Sequence, residues 1–153
     1  MPAEIERKFL VLDDSWQDGS AGVRIAQGYL CSDIHRTVRV RIAGETGFLT
    51  IKGPTAGIRR AEFEYEIPPD EARDLLGLCL PGVLDKTRHR ISHSGHVWEV
   101  DVFHGENEGL VIAEVELADE SVSPELPGWV GAEVSSEPRY FNSQLAARPF
   151  RCW

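Results

Sequence analysis

The chain predicts a mainly β domain of the α+β class: an eight-stranded antiparallel sheet closed into a barrel, with a few flanking helices. Three observations carry that prediction. Eight segments alternate their side chains with period two and are separated by turn residues at short spacing. Helical spacing is confined to two short stretches, too few helices to cover a parallel sheet. On the polar positions of the strands, pairs of like charge sit together, whereas an open wet face mixes signs with Ser, Thr, Asn and Gln.

The first strand is expected over 3–11, closed by Asp13-Asp14-Ser15, which can cap a short helix carrying Trp16. The second covers about 24–31 and the third about 36–43. Gly44-Glu45-Thr46-Gly47 turns the third into a fourth at 47–52, and Gly53-Pro54 breaks the ladder. A fifth strand runs from Ile58 to Ile67. After Pro68-Pro69-Asp70, the spacing of Ala72, Leu75, Leu76 and Cys79 predicts an amphipathic helix over 70–79, stopped by Pro81-Gly82. Strands at 83–92 and 96–103 flank a turn at Ser94-Gly95. The eighth strand is expected over 110–118, and a short helix near 140–147 ends at Pro149. No repeat, linker or composition shift divides the chain, so one domain is expected over residues 1–153.

Composition narrows the function. A formal charge of −9 argues against nucleic-acid binding, which needs a net basic surface, but leaves room for a small anion held by local basic groups. No apolar run reaches the roughly 20 residues of a membrane span, and the N-terminus lacks a signal-like segment. Cys31, Cys79 and Cys152 form no CxxC pair and suit a reducing compartment, so the expected location is the cytoplasm.

The charges then make a pattern. Alternate residues of a strand share a face, so Glu4, Glu6 and Lys8 line one side of the first strand. Arg39 and Arg41 pair on the third strand, Lys52 joins Thr50 on the fourth, and Arg60, Glu62, Glu64 and Glu66 share the fifth. Lys86 and Arg88, then Glu99 and Asp101, then Glu114 and Glu116 follow on the last three. Like charges at i and i+2 repel. Closing the sheet sets acidic strands opposite basic ones across a common interior, which must then be wet or filled by ligand, because an unpaired buried charge costs several kcal/mol. The expected barrel is polar inside and apolar outside, with Trp16, Trp98 and Trp129 in its outer layer.

Read in order, EIERKFLV at 4–11, QGYL at 27–30, TVRVRI at 37–42, LTIKG at 49–53, EFEYEI at 62–67, DKTRH at 85–89, EVDVF at 99–103, AEVEL at 113–117 and RYFNSQLA at 139–146 resemble a bacterial member of the CYTH superfamily, the triphosphate tunnel metalloenzymes. The resemblance implies a closed tunnel and metal-dependent hydrolysis of a triphosphate phosphoanhydride. By position it implies that Glu4, Glu6, Glu114 and Glu116 bind Mg²⁺ or Mn²⁺. Lys8, Arg39, Arg41, Lys52, Lys86 and Arg88 would bind phosphates, with Glu62, Glu64 and Asp101 as supporting acids. Glu4, Glu6, Lys8 and Tyr29 are carried as catalytic candidates.

The residue types suit that chemistry on their own account. Arg forks grip phosphate oxygens, Lys supplies a point charge, and hard divalent ions take carboxylate, water and phosphate oxygens. Six of these basic residues face seven acids, a balance of −1 that a divalent cation would have to reverse before a polyanion entered. Tyr29 has two readings: a core aromatic, favoured by burial tendencies, or a lumen residue assisting Lys8. His89 stands where the family pattern has Tyr and alternates away from Lys86 and Arg88. A zinc site at His89, His93 and His96 is disfavoured, since they straddle a turn without Cys partners.

Inorganic triphosphate is the expected substrate, since no base-stacking element accompanies the basic residues. Thiamine or nucleoside triphosphate comes next, then adenylyl cyclisation. A non-catalytic polyphosphate- or nucleotide-binding module would not need the acids of the first and last strands. The expected partner is a small-molecule triphosphate, with no nucleic acid and no membrane, and a homodimer is left open.

Overall fold

The computed structural model describes residues 2–153. Its strands are β1 (Ala3–Val11), β2 (Val23–Ser32), β3 (Thr37–Ala43), β4 (Thr46–Lys52), β5 (Arg59–Ile67), β6 (Leu84–His93), β7 (His96–Phe103), β8 (Val111–Glu116) and β9 (Val130–Glu133). Two α-helices, α1 (Pro69–Leu76) and α2 (Asn142–Ala147), join them. The sheet order is β5-β4-β3-β2-β6-β7-β8-β1-β9, and a further antiparallel β5–β1 pairing closes the first eight strands into the expected barrel. Asp13 caps a one-turn 3₁₀ helix at Asp14–Trp16 through its side chain, as its type suggested.

Beyond shifts of one or two residues at strand and helix ends, two features differ from the sequence reading. The strand β9 was not expected. It is four residues long, contains Gly131, and shows no alternation to betray it. The helix α1 ends at Leu76, three residues before Cys79, and the chain passes through turn hydrogen bonds from Leu78 and Cys79 to Leu75 and Leu76.

Closure is short. One edge of β1 pairs with β8 over Glu6–Leu10, while the other meets β5 only at Ala3–Ile5 before β9 takes over at Phe9 and Val11. Between those two partners, backbone N–H groups of β1 are satisfied singly. Glu6 donates to the Ile58 carbonyl and Lys8 to the Ser135 hydroxyl.

Outside the barrel, the odd-numbered residues of β1 and their neighbours build an apolar layer. Phe9 meets Trp98 at 5.6 Å between ring centroids, and Trp98 meets Trp129 edge-on at 5.9 Å. All three rings are buried, and Trp16 joins them, packed on His89 at 4.9 Å. His89 therefore points outward, as its parity required. The helix α1 lies over β2–β4, and Gly28 lets it approach. A Cβ there would meet the Cys79 sulfur at 2.8 Å.

The interior departs from a uniformly polar bore. Residues paired across an antiparallel ladder share a face, so Leu10, Leu84, Phe103 and Ile112 point inward with the charged residues of their strands. They pack with Val134, Tyr140 and Leu145 into a second buried cluster, and α2 thus stoppers part of the bore with apolar side chains. Gly82 permits that docking. Its φ is +96°, and a Cβ would lie 1.9 Å from the Ala146 carbonyl oxygen. A Gly82→Ala variant should lose about 1–2 kcal/mol from the left-handed backbone alone, lowering Tm by about 5 °C. It should also speed limited proteolysis after residue 138. An unchanged melt and digest would remove Gly82 as the hinge of this stopper.

Candidate active site

The rest of the bore is a charged cavity. One chamber, of about 480 Å³, is lined mainly by Glu6, Arg39, Arg41, Glu64, Arg88 and Glu116. An adjoining smaller one reaches Lys8, Tyr29, Thr37, Arg60 and Ser135. Glu4, Glu6, Arg39, Lys52 and Asn142 line both. Neighbouring strands deliver these groups at one level because register aligns them: Glu6 faces Glu116, Lys8 faces Glu114, Tyr29 faces Arg39, and Arg88 faces Asp101.

Ion pairs tie the acids to the bases in an ordered way. Lys52 Nζ lies 2.6 Å from Glu4 Oε1. Arg39 and Arg41 reach one Glu64 oxygen at 3.4 and 3.0 Å, and the Thr50 hydroxyl donates to the same atom at 3.0 Å. Asp101, completely buried, accepts from Lys86 at 2.7 Å and from both ends of the Arg88 fork at 2.7 and 2.8 Å. Burial alone would raise the Asp101 carboxyl. The Arg88 and Lys86 charges outweigh it and hold it well below the usual carboxylate range. Glu114 sits 3.4 Å from Lys8 and 3.6 Å from Arg88. It too is drawn down, to about 2, since those cations overcome its burial.

Some groups are left over, and they are the informative ones. Glu6 and Glu116 join none of these ion pairs among the described residues. Burial, with Glu114 and Glu4 close by, pushes the Glu6 carboxyl up to about 8, and Glu116 is raised for the same kind of reason. On the basic side, Arg39 Nε and Arg41 Nε are buried without an acceptor. Burial, then repulsion from Arg39 and Arg88, pulls the Arg41 guanidinium down to about 10. The cavity thus holds unmatched donors and unmatched carboxylates at once.

Those carboxylates fit a hard divalent cation in chemistry. No group of three His, Cys, Asp or Glu among the described residues forms a ready-made cage. Mg²⁺ ordinarily binds through one or two carboxylates together with water and substrate phosphates. Glu6 and Glu116, with Glu4 and Glu114 alongside, are suited to that shared mode.

The sequence-derived residues are not all equal. Lys8, Arg39, Arg41, Lys52 and Arg88 line the cavity, with Glu4, Glu6, Glu62, Glu64, Glu114 and Glu116. Lys86 and Asp101 lie behind that lining. Lys86 is 1% exposed and also donates to Asn142 at 3.3 Å, so it reaches the cavity through Asp101 and Arg88. Tyr29 is both buried and lumen-facing, which merges its two readings. A register shift after it turns Cys31 outward while Tyr29 stays opposite Arg39.

Among the lining residues without an assigned role, Arg60, Arg90, Glu99 and Asn142 bring charge or an amide into the cavity. Strand parity already sets Arg60 and Glu99 on the charged face, and the same parity adds Arg90 to Lys86 and Arg88. Strand parity does not reach Asn142, which lies in the motif at 139–146 and arrives with the stopper. His93 and His96 face each other across the hairpin, away from the cavity.

Comparison with known proteins agrees with this fold. The family model described as CYTH domain matches residues 2–150. The chain is 47% identical over 152 residues to an inorganic triphosphatase of Acetivibrio thermocellus, covering 99% of this chain and 97% of that protein. It is 34% identical over 148 residues to an inorganic triphosphatase of Nitrosomonas europaea, covering 94% and 96%. A crystal structure described as an inorganic triphosphatase superposes with a TM-score of 0.66 at 34% identity, covering 95% of each chain. A Hippeastrum putative adenylyl cyclase, described as having a dominant triphosphatase activity, shares the fold at a TM-score of 0.60 and 15% identity, over 76% of this chain and 80% of that one.

Proposed function

The chain belongs to the CYTH family, and from that premise we propose that it hydrolyses inorganic triphosphate to diphosphate and phosphate with the help of a divalent cation. The observation that carries this reading is the pairing of unmatched guanidinium donors with unmatched carboxylates around one cavity. A polyphosphate chain would take the donors of Arg39, Arg41 and Arg88 and the charges of Lys8 and Lys52. Lys86 and Asp101 keep Arg88 extended. Glu62 and Glu64 orient the Lys52 and Arg39–Arg41 side.

Glu6 and Glu116, flanked by Glu4 and Glu114, would hold Mg²⁺ or Mn²⁺. Bound there, such an ion neutralises developing phosphoryl charge and acidifies water. A loose phosphoryl-transfer transition state asks mainly for positioning and charge, which these side chains supply. Glu4 and Glu6 would accept a proton from the attacking water. Lys8 and the Tyr29 hydroxyl, which line the cavity, would meet the oxygens that gain charge as the bond breaks. All these groups come from one chain.

No helix among the described residues is long and apolar enough to cross a membrane. The three cysteines are free, which fits the reducing cytoplasm we assign.

A phosphate-release panel tests the assignment. With Mg²⁺ or Mn²⁺ present, kcat/KM should be highest for inorganic triphosphate and lower for ATP and thiamine triphosphate. Diphosphate should be poor, because it forfeits binding to the remote phosphate. Faster turnover of ATP, or cyclic AMP among the products, would overturn the choice of substrate. Activity that survives chelation would overturn the metal requirement.

A further inference from the structure

Gln27 is fully buried, yet it sits on the lumen face of β2 between Ile25 and Tyr29, opposite Arg41 of β3. Its amide Nε2 donates to the Tyr29 hydroxyl oxygen at 3.0 Å. Its Oε1 is buried without a hydrogen-bond partner. A buried amide oxygen left unsatisfied is destabilising, so an apolar residue of similar size would suit the fold better. The polar group serves something other than packing.

The direction of the hydrogen bond says what. A phenol has one proton to give and lone pairs to accept with. Because Gln27 donates, the Tyr29 oxygen is used as an acceptor, and its own proton is left to point elsewhere. Tyr29 lines the smaller chamber together with Lys8, Glu6 and Arg39.

We propose that Gln27 is a positioning residue for the reaction, fixing the Tyr29 hydroxyl by donating to its oxygen and so directing its proton at a phosphate oxygen in the chamber. This rests on the triphosphatase reading and on the role given there to Tyr29. Gln27 touches no substrate itself. Its effect passes wholly through the tyrosine, which makes the proposal separable from a structural role.

A double-mutant cycle decides it, with inorganic triphosphate as the substrate and Mn²⁺ saturating. Gln27→Met keeps the volume and removes the donor. It should lower kcat about 10-fold, within what a misplaced group costs, with KM nearly unchanged and Tm equal or higher. Tyr29→Phe should lower kcat at least as much. In the Tyr29→Phe background, Gln27→Met should then change kcat less than 2-fold, because there is no hydroxyl left to position.

Gln27→Glu supplies a second arm should the Met variant fold poorly. A carboxylate can only accept, so it would draw the phenol proton back toward the wall. Its loss of kcat should likewise vanish in the Tyr29→Phe background. Equal losses in both backgrounds, or no loss from either Gln27 variant, would overturn the positioning role and leave that of Tyr29 standing. Wild-type kcat in Tyr29→Phe would overturn both, while still leaving triphosphate hydrolysis itself intact.

Discussion

Replacing Glu6 with Gln is expected to lower kcat on triphosphate at saturating Mg²⁺ or Mn²⁺ by roughly 100-fold or more, with Tm unchanged or slightly higher. Function and stability pull apart at this residue. Its carboxyl is buried, is pushed up to about 8 by burial and by Glu114 and Glu4, and joins no ion pair among the described residues. Nothing in the fold depends on its charge. Gln preserves its shape, removes the repulsion, and takes away one oxygen ligand for a cation. Activity and thermal melting measured on the same preparation check both halves. Retained turnover would take Glu6 out of the cation site, and a markedly lower Tm would make it a structural residue instead.

The charged face was legible because strand parity leaves little freedom. Once Glu4, Glu6 and Lys8 were set on one side of β1, a closed antiparallel sheet had to bring the matching faces of β3 to β8 around them. The apolar stopper was written in the same code. Leu10, Leu84, Phe103 and Ile112 continue the inward series of their strands, but their apolar character reads as ordinary core until it is known which face is interior. What parity could not convey was depth. Lys86 and Arg88 look equivalent in sequence, yet one lies behind Asp101 and the other fronts the cavity. Asn142 was out of reach for a different reason. It comes from a helix of six residues whose position depends on docking by way of Gly82, a tertiary contact with no periodic signature.

Asp101→Asn is expected to be the most damaging single substitution for the fold. The wild-type carboxylate neutralises Lys86 and Arg88 together and accepts three hydrogen bonds from them in complete burial. An amide would leave two cations there with Glu99, 3.4 Å from Arg88, and Glu114, 3.6 Å from it, as the nearest full negative charges, and these already serve Arg90 and Lys8. Breaking a buried pair from one side costs about 3–5 kcal/mol, so Tm should fall by about 10 °C. The solvent-facing pair of Arg7 and Glu133 is the control, because Glu133→Gln should cost less than about 1 kcal/mol despite a contact of the same 2.7 Å length. The deficit in Asp101→Asn is one of negative charge beside Arg88, and triphosphate brings negative charge to the cavity that Arg88 lines. Added ligand should therefore raise Tm more in the variant than in the wild type. Equal ligand shifts would mean that phosphate does not reach Arg88, and a variant melting within 2 °C of wild type would mean that this buried network holds the site in shape without holding the barrel together.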